Sequence, residues 1–256
     1  MKSIIIVPAR LESKRLPEKV LEDIAGKPML RWVLERCKQS RLADELFLCT
    51  DNNKLVQLAK DCNVETLLTG KNFKSGTDRI ASVINKVCND LNLNNTLIIN
   101  VQGDQPFIDP NVIDQMIEEF RNKNFFPKVM TPVYKLDQEF IHNPNVVKTI
   151  LNQSQQAIYF SRSAIPHIRD EPKESWFKNY DYWGHVGIYG YRADIIFNWP
   201  LLRKSLLEES ERLEQLRFID NGICIDTFAV KGSFLSIDTA EQLSKARNIA
   251  KNIQEI

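Results

Sequence analysis

Ile4-Ile5-Ile6-Val7-Pro8-Ala9-Arg10, running on through Leu11-Glu12-Ser13-Lys14-Arg15-Leu16-Pro17-Glu18-Lys19, is the stretch that decides the fold. Four consecutive β-branched residues closed by a proline read as a short buried strand. The loop that follows carries four cations, Arg10, Lys14, Arg15 and Lys19. A strand feeding a basic loop and then a helix is how α/β proteins bring charge to the carboxyl edge of a parallel sheet. The loop has no glycine, so it is neither a G-x-G-x-x-G fingerprint nor a Walker A loop. Phosphates held there would be met mainly by side-chain cations, helped by backbone N–H groups. The alternative is a solvated basic loop after an edge strand, and the rest of the chain has to decide.

Outward from this strand the pattern alternates. Leu30, Val33, Leu34 and Cys37 recur at helical spacing, with Pro28 at the first helical position. Residues 45–49 read as a second strand, and Asp51 is placed to cap a helix over 53–62. A third strand over 64–68 leads to Ser75-Gly76-Thr77-Asp78-Arg79, which opens a stripe of Ile80, Val83, Ile84 and Val87. A fourth strand over 96–101 runs into Gln102-Gly103-Asp104-Gln105-Pro106, and Asp109-Pro110 starts a helix reaching about residue 123. Four strand–helix alternations imply a parallel sheet wound with right-handed crossovers. The second half differs. Residues 128–135, 146–151, 157–160, 185–191 and 224–230 read as strands, 165–182 as a long polar loop, and 206–220 as one charged helix. The two glycines Gly187 and Gly190 suggest a bulge or a close backbone approach. Thr239 and Gln242 fit a capping box for a last helix. The expectation is a single α/β domain, with a nucleotide-binding half over 1–125 and a β-rich insert over 126–235 that serves as a lid or dimer contact. A closing segment follows over 236–256.

Bulk properties exclude several classes. The formal net charge of 256 residues is +1, so no bulk electrostatic case exists for nucleic acid or an anionic membrane, and any basic site is local. The apolar run after Met1-Lys2-Ser3 is too short for a signal peptide, and no later run approaches a membrane span. Five widely spaced cysteines without a C-x-x-C, and three scattered histidines, point away from disulfides or a zinc site. The chain reads as reduced and cytoplasmic.

Some residues stand where chemistry could occur. Asp104 follows an apolar strand and a glycine, at the sheet edge where ligands bind, and a carboxylate there suits Mg²⁺; alone it could equally shape a turn. Asp238 lies just outside the helix that Thr239 and Gln242 cap, so its carboxylate is available for a shared metal–phosphate cluster. The hydroxyls and glycine of residues 75–79 could contact an anion or a ribose, or simply cap a helix. Arg162 ends an apolar strand and suits bidentate carboxylate recognition, or a surface ion pair. His185 and Tyr189, four apart on one strand, share a face. The charge run around Leu207 to Arg217 reads as a solvated face.

Taken in order, these blocks resemble the 3-deoxy-manno-octulosonate (Kdo) cytidylyltransferases. The likeness runs from Ile6-Val7-Pro8-Ala9-Arg10, Arg15-Leu16-Pro17 and Lys19 through Gly26-Lys27-Pro28-Met29 and Ser75-Gly76-Thr77-Asp78-Arg79. It continues through Asn100-Val101-Gln102-Gly103-Asp104, Tyr159-Phe160-Ser161-Arg162 and His185 to Tyr191, and ends with Leu213-Glu214-Gln215-Leu216-Arg217 and Asp238-Thr239. The resemblance implies a Rossmann-like nucleotidyltransferase that joins CMP from CTP to an eight-carbon sugar acid. Arg10, Arg15 and Lys19 would hold the triphosphate, with Pro8 and Ala9 beside them, and Ser75, Gly76 and Gln102 would lie near the cytidine. Asp104 and Asp238 would ligate Mg²⁺, and Arg162, His185, Tyr189, Glu214 and Gln215 would bind the sugar acid. It also implies a homodimer built through the insert.

Three positions depart from the family pattern. Glu18 stands where members usually have glycine, Gln105 where they often have glutamate, and Ser236-Ile237 where they have Gly-Val. Similar changes near Gln105 and Asp238 occur in a branch that uses 8-amino-3,8-dideoxy-octulosonate, which makes the amino sugar the second reading. An inactive nucleotide-binding subunit is the alternative of another class.

Overall fold

The computed structural model describes residues 1–13, 16–123, 126–232 and 234–254. Its first half contains β1 (Lys2–Pro8), β2 (Asp23–Ile24), β3 (Lys27–Pro28), α1 (Met29–Cys37), β4 (Glu45–Thr50), α2 (Asn53–Asp61), β5 (Glu65–Leu68), α3 (Gly76–Ala81), α4 (Ile84–Val87), β6 (Thr96–Val101) and α5 (Pro110–Asn122). The second contains β7 (Val129–Lys135), β8 (Lys148–Leu151), β9 (Gln156–Ser161), α6 (Trp176–Asn179), β10 (Trp183–His185), β11 (Ile188–Arg192), α7 (Ala193–Phe197), α8 (Leu206–Glu211), α9 (Leu216–Asp220), β12 (Ile225–Ala229) and α10 (Ala240–Gln254).

Strand β1 lies between β4 and β6, parallel to both, and β5 extends the parallel set. A strand inside a parallel sheet is covered on both faces, which is what an unbroken β-branched run encodes. Alternate residues of β1 enter different cores. Ile5 and Val7 pack with Leu30, Val33 and Leu34 of α1, Leu55 of α2 and Phe120 of α5. Ile4 and Ile6 pack on the other side with Ile80 of α3, Ile196 of α7, Trp199 and Phe218.

The β-rich half is no separate layer. Strand β11 pairs antiparallel with both β6 and β7, so one sheet runs β10-β8-β9-β12-β7-β11-β6-β1-β4-β5. Because β10 pairs with β7 as well as β8, strands β7, β12, β9, β8 and β10 close into a ring. The expected strand over 185–191 is two strands. The break at Val186-Gly187 sits beside Pro132 of β7, which has no N–H for a ladder and whose carbonyl accepts from Val186 N–H at 3.1 Å. The expected close approach is at Gly190, where a Cβ would lie 2.6 Å from Phe120 Cε2 and 2.8 Å from Met116 Sδ.

Two further expectations are corrected. Helix α2 is capped by Asn52, whose side chain accepts from Lys54 N–H at 2.9 Å, while Asp51 pairs with Arg79 at 3.4 Å. The single helix expected over 206–220 is broken: Arg212 adopts φ +57° and stops α8 before α9 starts. Helix α10 docks through Leu243, Ala246 and Ala250 onto Ile24, Met29 and Trp32, which brings the residues before it to the edge of the parallel strands.

Candidate active site

The carboxyl ends of β1 and β6 open into a cleft of about 1180 Å³. Pro8, Ala9 and Arg10 enter it from β1, Lys19 from the turn beyond, Ser75 and Gly76 from the start of α3, and Gln102 and Asp104 from the end of β6. Arg162 follows β9, Glu214 lies in the α8–α9 break, and Asp238 precedes α10; all three line the same cleft. Residues from six separate stretches of sequence therefore meet in one place.

The centre of the site is an ammonium. Lys19 Nζ donates to Asp104 Oδ2 at 2.7 Å and to Asp238 Oδ1 at 2.9 Å. Burial alone would lower the Lys19 pKa, but the charges and hydrogen bonds of Asp104 and Asp238 outweigh it and hold the group above its ordinary value. The two aspartates are brought together by backbone. Ile237 N–H donates to the Asp104 carbonyl at 3.0 Å, and Gln242 Oε1 accepts from Asp238 N–H at 2.8 Å and Thr239 N–H at 3.0 Å. Gln242 N–H in turn donates to Thr239 Oγ1 at 3.3 Å, so the expected capping box forms and fixes the segment bearing Asp238.

Around this centre the sequence folds for close approach. A Cβ on Gly76 would meet Pro8 Cγ at 3.0 Å and Gln102 Oε1 at 3.3 Å, so glycine lets the start of α3 press against β1 and β6 without crowding them. Ser75 caps α3 by accepting from Asp78 N–H at 3.1 Å. Glu214 is hydrogen-bonded to the hydroxyls of Thr77 and Ser75. Burial raises its pKa, those hydroxyls pull it down, and the nearby negative charges of Asp78 and Glu208 leave it raised overall. Arg10 Nη1 donates to the Phe73 carbonyl at 3.3 Å.

Arg162 is held by the stretch that was expected to be a solvated face. Its Nε donates to the Glu211 carbonyl at 2.9 Å and its N–H to Glu211 Oε2 at 2.9 Å, while Ser161 Oγ donates to Glu211 Oε1 at 2.6 Å. Glu208 forms a two-point pair with Arg217, 2.6 Å at each contact, and Arg217 lies 4.1 Å over the Trp199 ring. The break at Arg212 turns charge inward, which helical spacing alone does not reveal.

Glu18, the departure in the basic loop, also has a physical reading. Its φ is +47°, a left-handed conformation that costs an L-residue and suits glycine. Its carboxylate lies 3.4 Å from Lys54 Nζ, and neither residue lines the cleft.

Other expected residues are placed differently. His185, Tyr189 and Gln215 do not line the cleft. His185 and Tyr189 share a side, 5.3 Å between ring centroids, and the His185 ring meets Phe160 edge-on. Thr131 Oγ1 lies 3.0 Å from His185 Nε2 and 2.8 Å from the Ile188 carbonyl. Burial pushes the His185 pKa down to about 3 and the Tyr189 phenol well above its ordinary value. Gln215 is buried, with Nε2 lacking a hydrogen-bond partner among the described residues. Arg15 lies outside the described residues. Glu12, Ser13, Arg79 and Arg212 line the cleft without having been singled out for a role. For Arg79 the usable signal was a charge set directly before an apolar helical stripe. It is buried, pairs with Asp51 and donates to Thr69 Oγ1.

A cytidylyltransferase family profile matches residues 4–227. The 3-deoxy-manno-octulosonate cytidylyltransferase of Chloroherpeton thalassium is 38% identical over 97% of this chain and 98% of its own length. The chain belongs to this family. The enzyme of the same description from Fusobacterium nucleatum is 39% identical over 98% of both chains. A solved CMP:2-keto-3-deoxy-manno-octonic acid synthetase complexed with CTP superposes with a TM-score of 0.88 at 35% identity, covering all of both chains. The Rossmann-like nucleotidyltransferase fold that the resemblance implied is thus the observed one. Members of this family are nucleotidyltransferases, and the chain is accordingly an enzyme of that type.

Proposed function

We infer that the chain transfers the cytidylyl group of CTP to the anomeric hydroxyl of Kdo. The sugar oxygen bonds to the α-phosphorus, the α–β anhydride bond breaks, pyrophosphate leaves with its electron pair, and the hydroxyl proton passes to solvent. The observation that carries this reading is the meeting of Asp104 and Asp238 on one cation, in a cleft that also takes in Arg10 and Arg162. The family membership supports it. No observation favours the 8-amino sugar or an idle subunit over this assignment.

Phosphoryl-type transfer needs alignment and charge neutralisation rather than covalent help from the protein. Arg10, Arg15 and Lys19 hold the triphosphate and take up charge growing on the leaving pyrophosphate. Pro8, Ala9, Ser75, Gly76 and Gln102 form the floor for the cytidine. Arg162 offers its guanidinium to the sugar carboxylate and Glu214 accepts from sugar hydroxyls. The donor chemistry suits Mg²⁺ on Asp104 and Asp238. Two hard carboxylates already share one cation, and Mg²⁺ takes few protein ligands and prefers phosphate oxygens for the rest. Bound there, the ion would neutralise phosphate charge and help align the attack.

A homodimer formed through residues 126–235 is part of this proposal. Among the described residues, the large apolar side chains left exposed all lie in that segment except Leu68 and Ile249, Leu201 and Leu206 being the most exposed. A cytoplasmic setting is consistent with four buried, unpaired thiols, and no helix among the described residues is long and apolar enough to cross a membrane.

Magnesium-dependent pyrophosphate release from CTP and Kdo tests the assignment. Asp104→Asn is expected to lower kcat by roughly a hundredfold or more with the fold retained. Near-wild-type turnover of that variant at saturating Mg²⁺ would overturn the metal role.

A further inference from the structure

Lys148 is a charge that the proposed reaction does not use. It begins β8, in the run Val146-Val147-Lys148-Thr149-Ile150-Leu151, and its side chain is completely buried. Its ammonium donates to three main-chain carbonyls: Asn143 at 2.8 Å, Val146 at 2.6 Å and Arg162 at 2.6 Å. Three protons meet three acceptors, and no carboxylate pairs with it among the described residues. A buried cation whose hydrogen bonds all go to neutral carbonyls is costly, and an apolar side chain of that length would fill the same space. The geometry therefore calls for a reason specific to those three carbonyls.

The carbonyls belong to two segments, and Arg162 joins them. Arg162 Nη1 donates to the Pro144 carbonyl at 3.2 Å, inside the same 143–146 loop that Lys148 grips from below. Lys148 also grips the Arg162 carbonyl itself, and the Arg162 side chain lines the cleft. One ammonium thus fixes both the main chain from which the guanidinium springs and the loop against which it rests. We propose that Lys148 is a positioning residue for Arg162, locking the 143–146 loop to the end of β9 so that the guanidinium meets the sugar carboxylate in one orientation. The proposal rests on the assignment of Arg162 to the sugar acid.

The clamp should also be sensitive to alkali. Burial and the neighbouring positive charge of Arg162 lower the Lys148 pKa to about 8, and Glu211 opposes them. His185 on the adjoining β10 is neutral in this range. Loss of the proton turns one of the three donors into a lone pair facing a carbonyl oxygen. The sugar-acid site should therefore loosen above about pH 8.

The test is Lys148→Met, assayed for pyrophosphate release with Kdo and CTP varied in turn, beside Arg162→Ala. The expected result is a rise in KM for Kdo of roughly tenfold or more, with KM for CTP changed less than about twofold and kcat at saturation largely kept. In the wild type KM for Kdo should rise above about pH 8, and that rise should vanish in Lys148→Met. Equal increases in both KM values would reduce Lys148 to a general structural role and overturn the proposal. If Arg162→Ala leaves KM for Kdo unchanged, the assignment of Arg162 fails first. If Arg162→Ala raises it and Lys148→Met does not, only the clamp fails. Should Lys148→Met not fold, the wild-type profile decides, because a KM for Kdo that is flat from pH 7 to 9 would overturn the proposal.

Discussion

Lys19 stands between Asp104 and Asp238, where the proposed metal has to sit, and Lys19→Met makes that competition measurable. The lysine side chain is 14% exposed and makes two charged hydrogen bonds, at 2.7 and 2.9 Å. A hydrogen bond to a charged group contributes about 1.5–3 kcal/mol net. A divalent cation entering between the carboxylates of the nucleotide-free enzyme displaces both, at a cost of about 3 kcal/mol even at the low end of that range. At 1.4 kcal/mol per decade this weakens metal binding roughly a hundredfold. When CTP is present, its phosphates give the ammonium another partner and the cost falls. The wild-type enzyme should therefore bind Mn²⁺ weakly alone and much more tightly with CTP. In Lys19→Met this competitor is removed from both carboxylates, so affinity for Mn²⁺ without CTP should rise, by up to roughly a hundredfold. The gain from CTP should shrink to match. Titration followed by the free-Mn²⁺ electron spin resonance signal reads both quantities without turnover. Activity is a poor guide here, because the same lysine is assigned to the triphosphate and the variant should be slow in any case. Equal Mn²⁺ affinity in the two nucleotide-free proteins would refute the reasoning, since it would mean that the ammonium and the metal do not share the carboxylates.

Three further outcomes follow from the geometry. Gly190→Ala places a methyl 2.6 Å from Phe120 and 2.8 Å from Met116, and should cost about 1–3 kcal/mol of stability by overpacking, read as a lower urea midpoint; an unchanged midpoint would show that β11 can move away from α5. Glu18→Gly relieves the positive φ and loses only an exposed pair with Lys54, so stability should be unchanged or raised by up to about 1 kcal/mol, with turnover unchanged; a large loss of activity would put the Glu18 carboxylate in the site. His185 is neutral in the fold, with its pKa pushed down to about 3, whereas in the unfolded chain it takes up a proton below about pH 6.5. Its contribution is complete above that pH and is lost as pH falls toward 3, so urea midpoints should drop from pH 7 to pH 5 more in the wild type than in His185→Gln.

What could be read from the chain followed the range over which each signal acts. The parallel core was legible because β-branched runs and helical stripes are local consequences of burial on two faces, as at Ile4 to Val7. Asp104 and Asp238 were legible as candidates because each sits just beyond a regular element, yet their meeting depends on α10 docking against Ile24 and Trp32, which no spacing expresses. The errors have the same origin. Helical spacing read 206–220 as a solvated face, but Glu211 turns to Ser161 and Arg162 and Glu214 turns to the hydroxyls of Ser75 and Thr77, partners more than forty residues away. Asp51 looked like the cap of α2, and it is instead drawn to Arg79, leaving the cap to Asn52. In each case a charged residue ignored its local role because a distant opposite charge or donor offered more. That bears on Glu18, which stands in the basic loop where family members usually have glycine. The left-handed turn fixes where its backbone goes, and Lys54 gives its side chain a partner outside the cleft. The basic loop can therefore carry an acid at that position with its carboxylate paired outside the cleft, because the direction of the turn sets where the side chain goes.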